Sequence, residues 1–178
     1  MTAASLRRVP VIACGTPLRG DDGAGSAAVQ ALPGLADLPA ETRLVGQLEA
    51  DLLLAPGIEP CVVIDTVVGV APGTLLSAPL HEVGRSGIGR VPHSSHSLGV
   101  ARAVRLAEMV LGRPLAGRFV GVGGADFRAG AHLSEPVRDA LPGLQALVLD
   151  AIAGLATPLD APQPGAPNPG PVPPRARG

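Results

Sequence analysis

Short apolar runs alternate with helical patterns along most of the chain, and this alternation predicts the fold class. Five runs predict β-strands, at residues 9–14, 42–46, 61–68, 74–79 and 118–123. The third run is apolar at consecutive positions except at Asp65, which is typical of a strand covered on both faces. The fourth run follows the turn Pro72-Gly73 and predicts an edge strand.

Four further segments predict helices, at residues 23–32, 47–55, 95–111 and from Ser134 onward. In the third of these, one apolar stripe is made by Val100, Ala103, Val104, Ala107, Val110 and Leu111. In the last, Ser134 is expected to be the N-cap, with Pro136 in the first turn and a break at Pro142-Gly143. The alternation predicts an α/β three-layer sandwich, with a mostly parallel (mixed), twisted sheet of about five strands flanked by helices.

The end of the chain has a different composition. Residues 158–178 hold 8 of the 20 prolines, so we expect a Pro-rich disordered or polyproline-like tail after a single domain at 1–157. A tail of this kind either binds a partner groove or is an uncommitted extension.

Composition and charge exclude several function classes. The formal net charge is −1, Trp and Tyr are absent and there are two Phe, which argues against binding nucleic acid. The apolar stretch after Arg7-Arg8 is too short for a signal peptide, and the longest uncharged run, 66–81, contains two prolines and is no membrane span. Cys14 and Cys61 are expected to be lone buried thiols. We therefore expect a soluble cytoplasmic protein.

The turn at 15–25, directly after the first strand, is the first candidate for chemistry. It is rich in glycine and carries the adjacent acids Asp21 and Asp22. Two carboxylates would repel a phosphate, and the turn lacks both the GxGxxG spacing and a P-loop lysine. One of the two acids could cap the following helix, which leaves the other unexplained. The turn is better suited to a cation or a positively charged group.

Two further residues lie at predicted element ends. Asp65 is a charge near the end of the most apolar run, where it is costly unless it is paired or faces a cleft. His96 lies at the start of the predicted helix 95–111, with Ser94 or Ser95 as the cap, and His93 competes with it. The alternative roles are a structural cap for Asp65 and a solvated loop residue for His96. Together, two carboxylates and one imidazole from three separate element ends form an oxygen-oxygen-nitrogen set suited to a borderline divalent ion such as nickel or zinc.

These motifs resemble those of the hydrogenase maturation endopeptidases, over about residues 9–155. The turn at 15–25 is similar to a signature of that family, in which a glycine and an asparagine are followed by four variable residues, two acidic residues and a glycine. Thr16 stands here in place of the usual asparagine. Residues 62–65 and 71–74 resemble the family's central strand and the Pro-Gly turn after it. Residues 95–99 resemble its His-bearing helix start, and residues 120–123 and 133–137 resemble its last strand and helix. The segment 46–49 departs from the Gly-rich turn of many members.

The resemblance implies an endopeptidase that removes a C-terminal extension from a nickel-loaded hydrogenase large-subunit precursor. It implies Asp22, Asp65 and His96 as the residues that contact nickel, with Asp21 shaping the turn. Nickel would be carried by the precursor and not held permanently. Asp22 and Asp65 would also be the catalytic residues, through either a carboxylate-activated water or the metal as Lewis acid.

Two other functions are compatible with some of these features. A non-catalytic metal-sensing chaperone or checkpoint would bind the same precursor without cutting it, and shares every motif. A nucleotide-binding domain is disfavoured by the Asp21-Asp22 pair and the missing lysine.

Overall fold

The computed structural model of the chain describes residues 7–86 and 97–156. The elements in chain order are β1 (Val9–Cys14), α1 (Ala24–Gln30), β2 (Ala40–Val45), α2 (Ala50–Leu53), β3 (Cys61–Val67), β4 (Leu75–Pro79), α3 (Leu80–Ser86), α4 (Ser97–Leu111), β5 (Gly117–Gly123) and α5 (Glu135–Leu155). Two single-turn 3-10 helices lie at Gly20–Gly23 and Leu35–Asp37. The predicted tail at 158–178 lies outside the described residues.

One five-stranded sheet of order β2-β1-β3-β5-β4 forms the middle layer. The first four of these strands are parallel, and β4 pairs antiparallel with β5 at the edge of the sheet. The α/β three-layer prediction, with a mostly parallel mixed sheet, is confirmed, as is the edge position of the fourth strand. Because β1, β3 and β5 are parallel, their carboxyl ends meet at one edge of the sheet.

The two faces of the sheet carry separate apolar cores. One core packs β1, β3 and β5 against α1 and α5. The other packs the same strands against α2, α3 and α4. The central strand β3 alternates between them: Val62 and Ile64 belong to the first core, and Cys61, Val63 and Val67 to the second. Every residue of β3 is buried, which explains why its apolar residues are consecutive and do not alternate with polar ones, apart from Asp65 and Thr66.

The two cysteines are buried free thiols, as predicted. Cys14 and Cys61 both point toward the core formed with α4. Burial raises the pKa of the Cys61 thiol to about 12, with the charge of Glu59 adding to the effect. Within the described residues, no helix is both long enough and apolar enough to cross a bilayer.

Two details of the helix predictions are wrong. The predicted apolar stripe of α4 includes Val110, but Val110 is 71% exposed, because it lies at the margin of that stripe near the end of the helix. The break at Pro142-Gly143 does not occur, and α5 continues through Pro142 to Leu155. Packing of α5 against the sheet on both sides of Pro142 keeps the two halves of the helix together.

Pro142 nevertheless removes one backbone donor from the interior of a long helix. We expect Pro142→Ala to raise the free energy of unfolding by about 1 to 3 kcal/mol, because the restored N–H can bond one turn back and the ring no longer crowds the preceding turn. The measurement is the urea midpoint with an unchanged m-value. A lower midpoint would show that α5 needs the proline.

Candidate active site

Asp65 lies near the carboxyl end of β3, the central strand, as predicted. Its position in the strand places it on the α4 face, with Cys61, Val63 and Val67. The side chain is 5% exposed, and its Oδ1 accepts a hydrogen bond from the N–H of Thr66 at 2.8 Å. The sheet register places Cys14 of β1 beside it, since Ala13 pairs with Ile64.

The electrostatic surroundings of Asp65 favour its neutral form. Burial raises its pKa to about 7; the hydrogen bond from Thr66 opposes this shift and the charge of Asp22 adds to it. Burial also raises the pKa of the Cys14 thiol, with further contributions from Asp65 and Asp22. The three side chains therefore share one weakly solvated region at the end of β1 and β3.

Asp22 reaches this region from the turn that follows β1. The turn leaves the strand at Gly15, whose φ of +104° is in the range that favours glycine, and ends in the 3-10 helix Gly20–Gly23. Asp22 is 2% exposed, and its Oδ2 accepts a hydrogen bond from the backbone N–H of Thr16 at 2.8 Å. Because the donor is a backbone group, this bond does not depend on which side chain stands at position 16.

Asp21, the other acid of the pair, points the opposite way. Its carboxylate is fully buried and accepts hydrogen bonds from the segment between β5 and α5, at Ala125, Asp126 and Ser134. The prediction that one acid caps the following helix is therefore wrong: neither carboxylate bonds to the N-terminus of α1 or of the 3-10 helix. Ser134 does stand at the N-cap position of α5, but its hydroxyl donates to Asp21 instead of capping the helix.

The third predicted ligand, His96, lies outside the described residues, as do His93, Ser94 and Ser95. The structure does place the start of α4, at Ser97, near the same edge of the sheet. Gly99 in its first turn packs against Gln47, which follows the carboxyl end of β2. Within residues 7–86 and 97–156, no three His, Cys, Asp or Glu side chains are grouped so as to hold a metal ion.

Two buried carboxylates that repel each other are a fitting receptor for a cation. A cation beside Asp65 would favour its ionised form, against the burial and the charge of Asp22 that raise its pKa. The structure thus brings together Asp22 and Asp65 and separates Asp21 from them by the direction of its side chain.

Sequence reasoning did not find the partners of Asp21. Thr66 directly follows Asp65, and its hydroxyl donates to the main-chain carbonyl of Asp21 at 2.7 Å. The segment 124–134 supplies the remaining partners. The glycine pair Gly123-Gly124, at the end of the last strand, is a sequence signal that this segment begins at the same edge of the sheet.

Comparison with known proteins gives matches to solved structures only. No family model matches the sequence, and no curated protein matches it by sequence. The structure is similar to the [NiFe] hydrogenase maturation protease HybD from Thermococcus kodakarensis, with TM-score 0.62 and 24% identity over 80% of this chain and 97% of that one. It is similar to the hydrogenase maturating endopeptidase HybD from E. coli, with TM-score 0.64 and 23% identity over 85% and 98%.

A third similar structure is the [NiFe] hydrogenase maturation protease HycI from Thermococcus kodakarensis. The TM-score is 0.57 and the identity 18%, over 84% of this chain and 95% of that one. The chain therefore has the fold of the hydrogenase maturation proteases, and spans nearly their whole length.

Proposed function

We propose that this chain, which has the fold of the hydrogenase maturation proteases, belongs to that family and is itself an endopeptidase that trims a hydrogenase large-subunit precursor. The observation that carries the proposal is the pair Asp22 and Asp65, both buried and mutually repelling at the carboxyl edge of the sheet. Ligands of open α/β sheets bind at this edge. The substrate would be a precursor already loaded with nickel, from which a C-terminal extension is removed.

In this proposal nickel is part of the substrate. Asp22 and Asp65 would supply two oxygen ligands to the precursor's nickel, and His96 a nitrogen ligand, a set that suits a borderline divalent ion. Coordination would hold the precursor with its scissile bond beside the two carboxylates. A precursor without nickel would lack this attachment and would be left uncut.

Hydrolysis then needs a water and a proton acceptor. A carboxylate of the pair takes a proton from water, whose oxygen bonds to the scissile carbonyl carbon. The C–N bond breaks, and the leaving nitrogen receives the proton. A second route uses the precursor's nickel to polarise the same carbonyl, with the aspartates serving as its ligands.

The test is cleavage of a purified hydrogenase large-subunit precursor, loaded or not loaded with nickel. We expect the chain to shorten only the loaded precursor, and intact-mass measurement to show two products whose masses sum to that of the precursor plus one water. Binding of the loaded precursor with no change in its mass would overturn the endopeptidase proposal and indicate a checkpoint protein. Equal cleavage of both precursors would contradict the role of nickel.

The two histidines of the segment before α4 provide a matched pair of variants. We expect His96→Ala to slow cleavage of the loaded precursor at least tenfold, because one of three protein ligands to nickel is lost. His93→Ala, three residues away in the same segment, should cleave at close to the wild-type rate. The measurement is the initial rate of product formation on a gel, and a reversed pattern would assign the ligand to His93.

A further inference from the structure

The carboxylate of Asp21 joins parts of the chain that are more than 100 residues apart. Its Oδ2 accepts hydrogen bonds from the N–H groups of Ala125 at 2.7 Å and Asp126 at 2.9 Å, and from the hydroxyl of Ser134 at 2.9 Å. Its Oδ1 accepts a bond from the N–H of Ser134 at 2.6 Å. Four donors therefore converge on one fully buried acid.

The main chain of Asp21 adds a connection to the central strand. Its N–H donates to the carbonyl of Asp126 at 2.7 Å, and its carbonyl accepts the hydroxyl of Thr66 at 2.7 Å. Thr66 in turn donates its N–H to Asp65. One residue thus touches the turn after β1, the end of β3 and the segment after β5.

Two backbone bonds reinforce the same junction. Gly20 donates to the carbonyl of Ala131 at 3.0 Å, and Gly130 donates to the carbonyl of Leu18 at 2.8 Å. The turn that carries Asp22 is therefore held against the segment after β5 at Leu18 and Gly20 as well as at Asp21.

The donors around Asp21 keep it ionised. Burial by itself raises its pKa, but the N–H groups of Asp126, Ala125 and Ser134, together with the Ser134 hydroxyl, outweigh burial and leave the pKa below its ordinary value. Asp21 is therefore an anion held by four hydrogen bonds from protein donors.

We propose that Asp21 is a positioning residue that sets the placement of Asp22 relative to Asp65 by binding the segment 125–134. The residue acts through the main chain on Asp22 and through Thr66 on Asp65, and contacts no substrate. This inference rests on the proposed function, because it assigns the consequence of the junction to cleavage of the precursor.

The deciding variant is Asp21→Asn, which keeps the size of the side chain. An amide offers one acceptor oxygen and places N–H donors where the second carboxylate oxygen was, facing N–H or O–H donors of the protein. We expect kcat for cleavage of the nickel-loaded precursor to fall at least tenfold, while KM for the precursor stays within about twofold. The assay is run at a temperature where circular dichroism shows the variant to be folded.

A second destabilised variant separates positioning from general destabilisation. Val148→Ala opens a cavity in the core between α5 and the sheet, away from the junction. We expect it to lower stability but to cleave at close to the wild-type kcat below its unfolding temperature. An equal loss of kcat in Val148→Ala would overturn the proposal.

Further outcomes are equally decisive. Should Asp21→Asn fail to fold, Ser134→Ala removes a single donor, and we expect it to lower kcat two- to fivefold with KM unchanged. The positioning role would be overturned by a wild-type kcat, or by a change confined to KM, in a folded Asp21→Asn variant. The same holds for Ser134→Ala where it replaces that variant, and either result would leave the endopeptidase proposal intact. Absence of cleavage by the wild-type chain would instead show that the proposed function is wrong, and the positioning role would fall with it.

Discussion

Asp65→Asn is expected to abolish precursor cleavage and, at the same time, to make the metal-free protein more stable above neutral pH. Cleavage should fall at least 100-fold, because the amide neither takes a proton from water nor serves nickel as an anionic ligand. The fold should be retained, since the amide oxygen can still accept the N–H of Thr66 that Asp65 accepts at 2.8 Å.

The gain in stability follows from the direction of the pKa shift. In the unfolded chain Asp65 ionises near its ordinary pKa of about 4, whereas in the folded chain burial raises its pKa to about 7. The folded state thus keeps a proton that the unfolded state has lost. The stability this carboxyl contributes is present in full below about pH 4 and is lost as the pH rises through about 7.

The measurement is urea unfolding of the metal-free protein at pH 4 and pH 8. At pH 4 the two proteins should agree closely, and at pH 8 the free energy of unfolding of Asp65→Asn should exceed that of the wild type by roughly 2 to 4 kcal/mol. Asp51→Asn is the matched control, because Asp51 is exposed at the start of α2. Lower stability of Asp65→Asn at pH 8, or cleavage at the wild-type rate, would contradict the assignment.

Gly15→Ala is expected to be among the most damaging small substitutions in the chain. Gly15 has a φ of +104°, and a Cβ there would overlap the carbonyl oxygen of Asp22 and come within 3.2 Å of its carboxylate. Strain and overlap together should lower the free energy of unfolding by roughly 3 to 5 kcal/mol. Relief of the overlap requires Asp22 to move, so cleavage should also fall at least tenfold in the folded fraction.

Gly34→Ala separates the two causes. Gly34 also has a left-handed φ, of +65°, but a Cβ there would have no atom within 4 Å. This variant should lose only about 1 kcal/mol of stability and should cleave at the wild-type rate. Thermal unfolding and initial cleavage rates of both variants are the measurements, and equal effects would show that the contact with Asp22 is not what matters at Gly15.

Features encoded by a local pattern could be predicted from the sequence. The consecutive apolar residues of β3 follow from burial on both faces, and Asp65 is conspicuous because it interrupts them. The Pro-Gly turn before β4 marks an edge strand. α3 was not predicted, because Leu80–Ser86 offers only Leu80 and Val83 as buried apolar positions.

Features decided by tertiary contacts could not be predicted. Pro142 signals a break, but packing of α5 onto the sheet keeps the helix continuous. Asp21 and Asp22 are neighbours with the same side chain, and only the fold gives them opposite directions. The groups that donate hydrogen bonds to the carboxylate of Asp21 lie 104 to 113 positions further along the chain, where no local pattern connects them to it.

The distance along the sequence between Asp21 and its hydrogen-bond donors determines when the site can be completed during synthesis of the chain. A growing chain releases β1 with Asp21 and Asp22 first, and β3 with Asp65 next. The donors of Asp21 are made only when translation reaches Ala125 to Ser134. On the proposed function, a half-made chain could not yet cut a precursor being made beside it. On that function, cleavage would begin only when β5 and α5 are in place.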